Sequence, residues 1–304
     1  MKTLLRRTLS VCLLSGIIFS NSIQTISAAG LESLAAYDCT PPAQTEIPAM
    51  ECEALVAFYN STGGDSWNNR DGWLISSTPC SWYGVSCSTG SVNSLLLYSN
   101  HLSGNIPPEL GNLSVLQTLG LWGNQLTGAI PSELGKLSAL DHLDLSDNQL
   151  TGAVPPVLGN LSVMRHLDLS NNQMTGAIPS DLGKLFALAY LYLNNNKLSG
   201  AIPSELGSLS VLDQLDLSSN QLTGAIPPEL GNLSSLEYLD LHNNPLTGAI
   251  PLSFTNLTRL YGFSFSNTDL CEPFTPEFRA WKAAVPNWEG TRACNSVYVP
   301  LVMK

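Results

Sequence analysis

The chain has 304 residues, of which 44% are hydrophobic and 12% charged, with a formal net charge of −11. That is too apolar for a disordered acidic polymer, and long enough for one elongated repeat array or up to two compact domains. The negative balance repels phosphate backbones and anionic headgroups, which argues against nucleic acid and membrane surfaces and suits cationic or neutral partners better.

Residues 1–29 read as an export signal. Lys2, Arg6 and Arg7 precede an apolar run from Leu9 to Phe19, and Ser27-Ala28-Ala29 offers small residues for cleavage after Ala29. The run is well short of the ~20 residues that span a bilayer, and Val11 is too large for a lipoprotein box ending at Cys12. Removing Lys2, Arg6 and Arg7 leaves 10 basic against 24 acidic residues, or −14. A secreted, extracellular chain that is not inserted in a membrane is expected.

Residues 30–46 read as a linker and 47–91 as a cap in which Glu51 to Tyr59 forms a helix, with Ala54, Leu55 and Phe58 on one face. After signal removal six cysteines remain: Cys39, Cys52, Cys80 and Cys87 in front, Cys271 and Cys294 behind. An even count in an exported chain argues for disulfides rather than metal or redox chemistry. The intervening stretch separates the two groups, so Cys271 is expected to pair with Cys294. In front, Cys39–Cys52 with Cys80–Cys87 is the expected arrangement, the connectivity of these four remaining open.

Between 92 and 268 the sequence repeats every 24 residues. Asn100, Asn124, Asn148, Asn172, Asn196, Asn220 and Asn244 mark the period without a slip, and leucines, glycines and prolines keep step with them. An eighth unit is degenerate, with Phe263 and Phe265 in the leucine places and Thr268 where asparagine is due. Within a unit, Leu119-Gly120-Leu121 alternates as a short strand with one face in a core. Asparagine ends the strand because its amide both donates and accepts. Gly128 permits a positive-φ bend, Ile130-Pro131 holds an extended segment, and Leu134, Leu137 and Leu140 fall three apart, as in a 3₁₀-like turn. One unit buries too little to fold alone: about seven aliphatic side chains contribute roughly 10–20 kcal/mol against roughly 1–2 kcal/mol for each of some 24 ordered backbones. Neighbours must bury each other's faces. The expectation is an α/β repeat solenoid, a right-handed superhelix with eight parallel concave strands ~4.8 Å apart, 3₁₀ or helical turns on the convex side, and a disulfide-bearing cap at each end. The C-terminal cap, 269–294, includes a helix from Pro276 to Ala284 presenting Phe278 and Trp281, and 295–304 is a tail.

The unit L-x-x-L-x-L-x-x-N-x-L-x-G-x-I-P-x-x-L-G-x-L-x-x, with Trp67, Trp73 and Cys80-Ser81-Trp82-Tyr83-Gly84-Val85-Ser86-Cys87 before it, resembles the plant-type leucine-rich repeat of receptor-kinase ectodomains and polygalacturonase-inhibiting proteins. The resemblance implies a leucine-rich-repeat fold and a binding role, with inhibition of a wall-degrading hydrolase as one form of it. The aliphatic tail Val297 to Met303 is not a feature of the plant proteins and resembles tails on some bacterial exported proteins, pointing to a bacterial secreted member.

No hydrolase, zinc-protease or P-loop pattern occurs, so no enzyme and no cofactor is expected. His142 and His166 recur in adjacent units with Asp144 and Asp168 two residues on, but Leu-Asp-Leu-Ser is the commonest filling of this repeat, and no metal site is expected. Sequons occur at Asn60, Asn112, Asn160, Asn232 and Asn256; the last four fall in the repeat's Asn-Leu-Ser/Thr phrase, which generates them, and in a bacterial chain they are expected to be unmodified. The functional signal lies in strand positions that vary between units. One column reads Tyr98, Trp122, Ser146, Ser170, Asn194, Ser218 and His242; a second Leu96, Gly120, Asp144, Asp168, Tyr192, Asp216 and Asp240; a third Thr118, His142, His166, Tyr190, Gln214 and Tyr238. All are expected to be exposed on the concave face. The aromatics there anchor interfaces and the acids select cationic groups, which gives a monomeric scaffold binding a protein or peptide. A passive surface or adhesion spacer is the alternative if the columns are mere filler.

Overall fold

The computed structural model describes residues 37–40 and 43–294; the expected signal peptide, most of the linker and the tail lie outside them. Ten strands form one sheet, labelled in chain order β1 (Val85–Ser88), β2 (Ser91–Leu96), β3 (Thr118–Gly120), β4 (His142–Asp144), β5 (His166–Asp168), β6 (Tyr190–Tyr192), β7 (Gln214–Asp216), β8 (Tyr238–Asp240), β9 (Gly262–Ser264) and β10 (Asn287–Glu289). β2 to β9 are the eight repeat strands. Each cap adds one more: β1 runs antiparallel to β2, and β10 parallel to β9. The repeat pattern marks neither cap strand, so the sheet is two strands wider than the pattern alone implies.

Between neighbouring repeat strands the register steps one unit at a time, Leu119 opposite Leu143 and Leu143 opposite Leu167. This puts every core leucine on its equivalent, and Leu119, Leu143, Leu167 and Leu191 are fully buried. On the other side of each unit a short 3₁₀ turn such as Ser132–Lys136 follows an extended proline, Pro131 at φ −64° and ψ 136°. The three-residue spacing of Leu134, Leu137 and Leu140 suits this turn, and all three are fully buried. Side chains under the turns need more room than strands ~4.8 Å apart, so the stack curves with the sheet on its inner side.

The asparagine ladder stitches unit to unit. Asn148 Nδ2 donates to the carbonyls of Leu121 (3.0 Å), Leu145 (3.2 Å) and Ser146 (3.0 Å), while its Oδ1 accepts from the Leu126 N–H at 3.0 Å. Asn172, Asn196 and Asn220 repeat the pattern. The residue just before each asparagine lies in the left-handed region: Asp147, Asn171, Asn195 and Ser219 have φ of 52–53°. Short polar side chains tolerate that conformation best. The following glycine, Gly128 at φ 74°, needs it too.

Aromatic layers close both ends. The helix α1 (Ala49–Ser61) buries Ala54, Leu55 and Phe58, and its Glu51 carboxylate accepts from the Val92 N–H at 2.7 Å. Trp67, Trp73 and Trp82 pack behind it with ring centroids 4.9 Å apart in each successive pair. Each indole N–H finds a carbonyl, on Thr62, Tyr83 and Ser76 respectively. At the far end α2 (Pro276–Ala284) starts at Thr275, whose hydroxyl accepts from the Phe278 N–H. It buries Phe278 and Trp281, and Trp288 lies edge-on to Phe263 at 5.2 Å. Disulfides join Cys39 to Cys52, Cys80 to Cys87 and Cys271 to Cys294, with Cα atoms 5.6, 5.5 and 4.8 Å apart. All three therefore lie within a cap or at its junction with the repeats. Among the described residues no helix is long and apolar enough to cross a membrane.

Candidate functional site

The strand register brings the variable columns together on the inner face: His142 lies opposite His166, His166 opposite Tyr190, and Gln214 opposite both Tyr190 and Tyr238. Asp144, Asp168, Tyr192, Asp216 and Asp240 form the parallel column two residues on. Three chemically different patches result.

The first patch is aromatic. Tyr98 and Trp122 stack face to face at 5.2 Å with their planes 6° apart, and both remain open to solvent, 48% and 39% exposed. Gly120 sits beside them with Leu96; a Cβ there would lie 2.8 Å from the Leu96 side chain, so the glycine leaves room for that exposed leucine.

The second patch is imidazole and phenol. His142 and His166 stack at 4.3 Å and 14°, and His166 then meets Tyr190 at 5.7 Å and Tyr192 at 5.6 Å. Burial pulls the His166 pKa down, and the neighbouring His142 adds to this, against the Asp144 charge. The imidazole therefore favours its neutral form at neutral pH.

The third patch is a hollow of about 280 Å³ at the C-terminal end of the concave face. Tyr192, Gln214 and Tyr238 wall it, Asp216, Asp240 and Glu289 supply acid, and among the described residues no basic side chain lines it. The Tyr192 hydroxyl donates to Gln214 Oε1 at 2.6 Å. Burial first, then the Asp168 charge, push its pKa up to about 12. Gly262 makes the space: a Cβ there would stand 2.9 Å from the Tyr238 ring. His242 Nδ1 lies 2.6 Å from Asp240 Oδ1 at the edge of this patch.

Two expectations about the columns need correcting. Ser146, Ser170 and Ser218 are buried rather than exposed, as is Gly120. The serines are drawn in because their backbone N–H groups donate to the carboxylates two residues earlier, Ser146 to Asp144 at 3.0 Å, Ser170 to Asp168 at 2.9 Å and Ser218 to Asp216 at 2.9 Å. The aspartates thus cap strand ends as well as face the groove, and they are half-buried rather than freely solvated. Burial raises the pKa of Asp168 and Asp216, with those serine hydrogen bonds opposing it. The sequence reading also missed Asn287 and Glu289, which reach the hollow from cap strand β10. No repeat phrase marks that strand; Trp288 flanked by polar residues is the only alternation there.

Comparison with known proteins matches this architecture stretch by stretch. Family models described as leucine-rich repeats match residues 91–113 and 114–174, a model of a leucine-rich-repeat region matches 151–278, and one of a leucine-rich-repeat N-terminal domain matches 48–88. The chain is similar to a probable inactive receptor kinase of Arabidopsis thaliana, RLK902, at 40% identity over 74 residues, 23% of this chain and 11% of that protein. Among solved structures it resembles the ectodomain of the Arabidopsis receptor kinase HAESA in complex with an IDA peptide hormone, with a TM-score of 0.68 and 31% identity over 80% of this chain and 42% of that one. It also resembles a plant ice-binding protein, with a TM-score of 0.58 and 26% identity over 83% of this chain and 99% of that one. The chain thus spans about a tenth of that kinase and under half of the receptor ectodomain.

Proposed function

We propose a binding function from one premise: the chain carries a plant-type leucine-rich-repeat domain that resembles the ectodomains of plant leucine-rich-repeat receptor kinases. The scaffold is secreted and non-catalytic, and it holds an extended protein or peptide segment along its concave face. The observation that carries this reading is the hollow beside Tyr192, Tyr238 and Gly262, where the repeat's regularity is broken in favour of an acidic, aromatic-walled space. A lysine or arginine of the partner fits there, between Asp216, Asp240 and Glu289. The open Tyr98–Trp122 stack supplies an apolar anchor at the other end of the same face. Resemblance to a receptor ectodomain solved with a peptide hormone supports the class of partner.

The test is affinity capture from extracts of the protein's own habitat, with the wild-type chain and a Trp122→Ala/Tyr192→Ala variant side by side, read by mass spectrometry. A protein or peptide retained by the wild type and lost by the variant is the expected result. If what is retained is a wall-degrading hydrolase, the scaffold is an inhibitor, as the resemblance to polygalacturonase-inhibiting proteins implies. Equal retention by both chains, or none by either, overturns concave-face binding, and the second outcome leaves a passive spacer.

A second reading has its own observation. Thr151, Thr175 and Thr223 recur on one exposed flank with Ala153, Ala177 and Ala225 two residues on, and Ser199 and Ala201 hold the same places in the unit between, a periodic array of hydroxyls and methyls broken by few charges. Such a face suits ordered water, the kind of ligand that the similar ice-binding protein is named for. Inhibition of ice recrystallisation that is lost on Thr175→Lys would favour it over peptide binding.

A further inference from the structure

We propose that His142, Asp144 and His166 form a binding site for a divalent transition-metal ion. The sequence spacing alone offered two histidines one unit apart, each with an aspartate two residues on; the structure adds their geometry. β4 and β5 are parallel neighbours in direct register, with His142 opposite His166. His142 and Asp144 stand two residues apart on one strand and so share its concave face. A ligand atom from each of the three residues lies within 4.8 Å of the others, and all three side chains are half-buried, reachable from solvent yet backed by the sheet. Zinc bonds of about 2.0–2.1 Å in a tetrahedral site place ligand atoms roughly 3.3 Å apart. Closing that gap takes rotation about the side-chain torsions of two partly exposed imidazoles, which changes their 4.3 Å stack.

The surroundings favour the same assignment. Neither imidazole hydrogen-bonds to another side chain or backbone group among the described residues, so metal binding breaks no protein hydrogen bond, only the stacking of the two rings. Asp144 Oδ1 accepts from both the N–H (3.0 Å) and the hydroxyl (2.7 Å) of Ser146. Those two bonds fix the carboxylate's orientation and leave its second oxygen for the ion, as supporting hydrogen bonds do around metal ligands generally. Asp168 continues the acidic column directly beside Asp144 and lowers the local potential, which favours a cation. Two imidazoles and one carboxylate suit zinc, copper(II) or nickel rather than calcium or magnesium, which take oxygen ligands. With three protein ligands the coordination sphere stays open toward the groove.

The experiment uses the full chain, purified without an affinity tag and stripped with a chelator, titrated with zinc chloride by calorimetry. One saturable site is expected, weakened roughly tenfold or more by His142→Gln and by His166→Gln, and unchanged by His101→Gln, since His101 lies exposed outside the cluster. Cobalt(II) loading gives a second readout: a visible absorption band in the wild type that both His142→Gln and His166→Gln abolish, while circular dichroism shows both variants folded. Absence of saturable zinc binding, or binding and cobalt absorption that persist in the doubly substituted chain, would overturn the site.

Discussion

The core ladders and the concave columns occupy alternate positions of the same three-residue strands, yet they behave differently along the stack. Leu143, Leu167, Leu191 and Leu215 are interchangeable, each buried against its equivalents. Asn148, Asn172 and Asn196 make the same bonds to within a few tenths of an ångström. On the other face no two neighbouring patches match: a Tyr–Trp stack gives way to paired imidazoles, and these to an acidic hollow. Uniformity follows from stacking, because a core layer must fit the next layer on both sides. Variety is possible only where a side chain faces solvent and leaves the stack intact, which is why we propose recognition at the positions that break the repeat.

The largest way to break this comparison is to remove an end. Deleting residues 30–91 takes away α1, the tryptophan cluster and β1, and strips the cover from the first leucine layer. The shortened chain is expected to aggregate, whereas excision of one whole unit, 141–164, leaves a soluble shorter stack. Size-exclusion chromatography with light scattering separates the two outcomes. A monomeric cap deletion beside an aggregating unit deletion would invert the account of the solenoid.

A single substitution at a uniform position comes next. Asn148→Ala leaves the buried Leu126 N–H without its side-chain partner and removes one of the two asparagine donors to each of the Leu121 and Leu145 carbonyls, which Asn124 and Asn172 otherwise share. A cost of about 3 kcal/mol is expected, read from urea unfolding. A cost indistinguishable from that of an exposed surface substitution would mean that the ladder only decorates the turn.

The smallest effect concerns charge in the acidic column. Burial raises the Asp168 and Asp216 pKa values. Between the unfolded and the raised folded pKa the native state holds more protons than the unfolded state. These two groups therefore favour folding as the pH falls through the folded value and oppose it once both are ionised. The Asp168→Asn/Asp216→Asn variant keeps an acceptor for the Ser170 and Ser218 N–H groups and carries no charge. Its melting temperature at pH 7 is expected to match or exceed that of the wild type, with a flatter dependence on pH in the acid range. A clear loss of stability at pH 7 would show that the carboxylate charge itself supports the strand ends.

Most of the fold was legible because the constraint is periodic. Asn100 to Asn244 at a fixed step, with Leu-x-Leu before each, leaves one economical way to bury the leucines. The helix Pro276–Ala284 was readable from its proline start and its apolar Phe278 and Trp281. β1 and β10 were not, since they pair with the stack only once it exists and carry no pattern of their own. The site was half legible. Register follows from the period, so the columns could be written down, but exposure could not: Ser146, Ser170 and Ser218 go under because of bonds to Asp144, Asp168 and Asp216 that alternation does not encode. The hollow at Gly262 depends on a missing side chain and on Glu289 from the cap, two features visible only in three dimensions.

The central claim is that the varied concave positions bind and the uniform ones hold the stack. Its most direct test is to titrate a partner captured by the wild-type chain against Trp122→Ala and Tyr192→Ala, with the unfolding free energy of each variant measured in parallel. The account predicts that each substitution weakens binding by roughly 2 kcal/mol or more while costing less than about 1 kcal/mol of stability. Unchanged affinity in both variants would contradict it and move recognition to the lateral edge or to the caps.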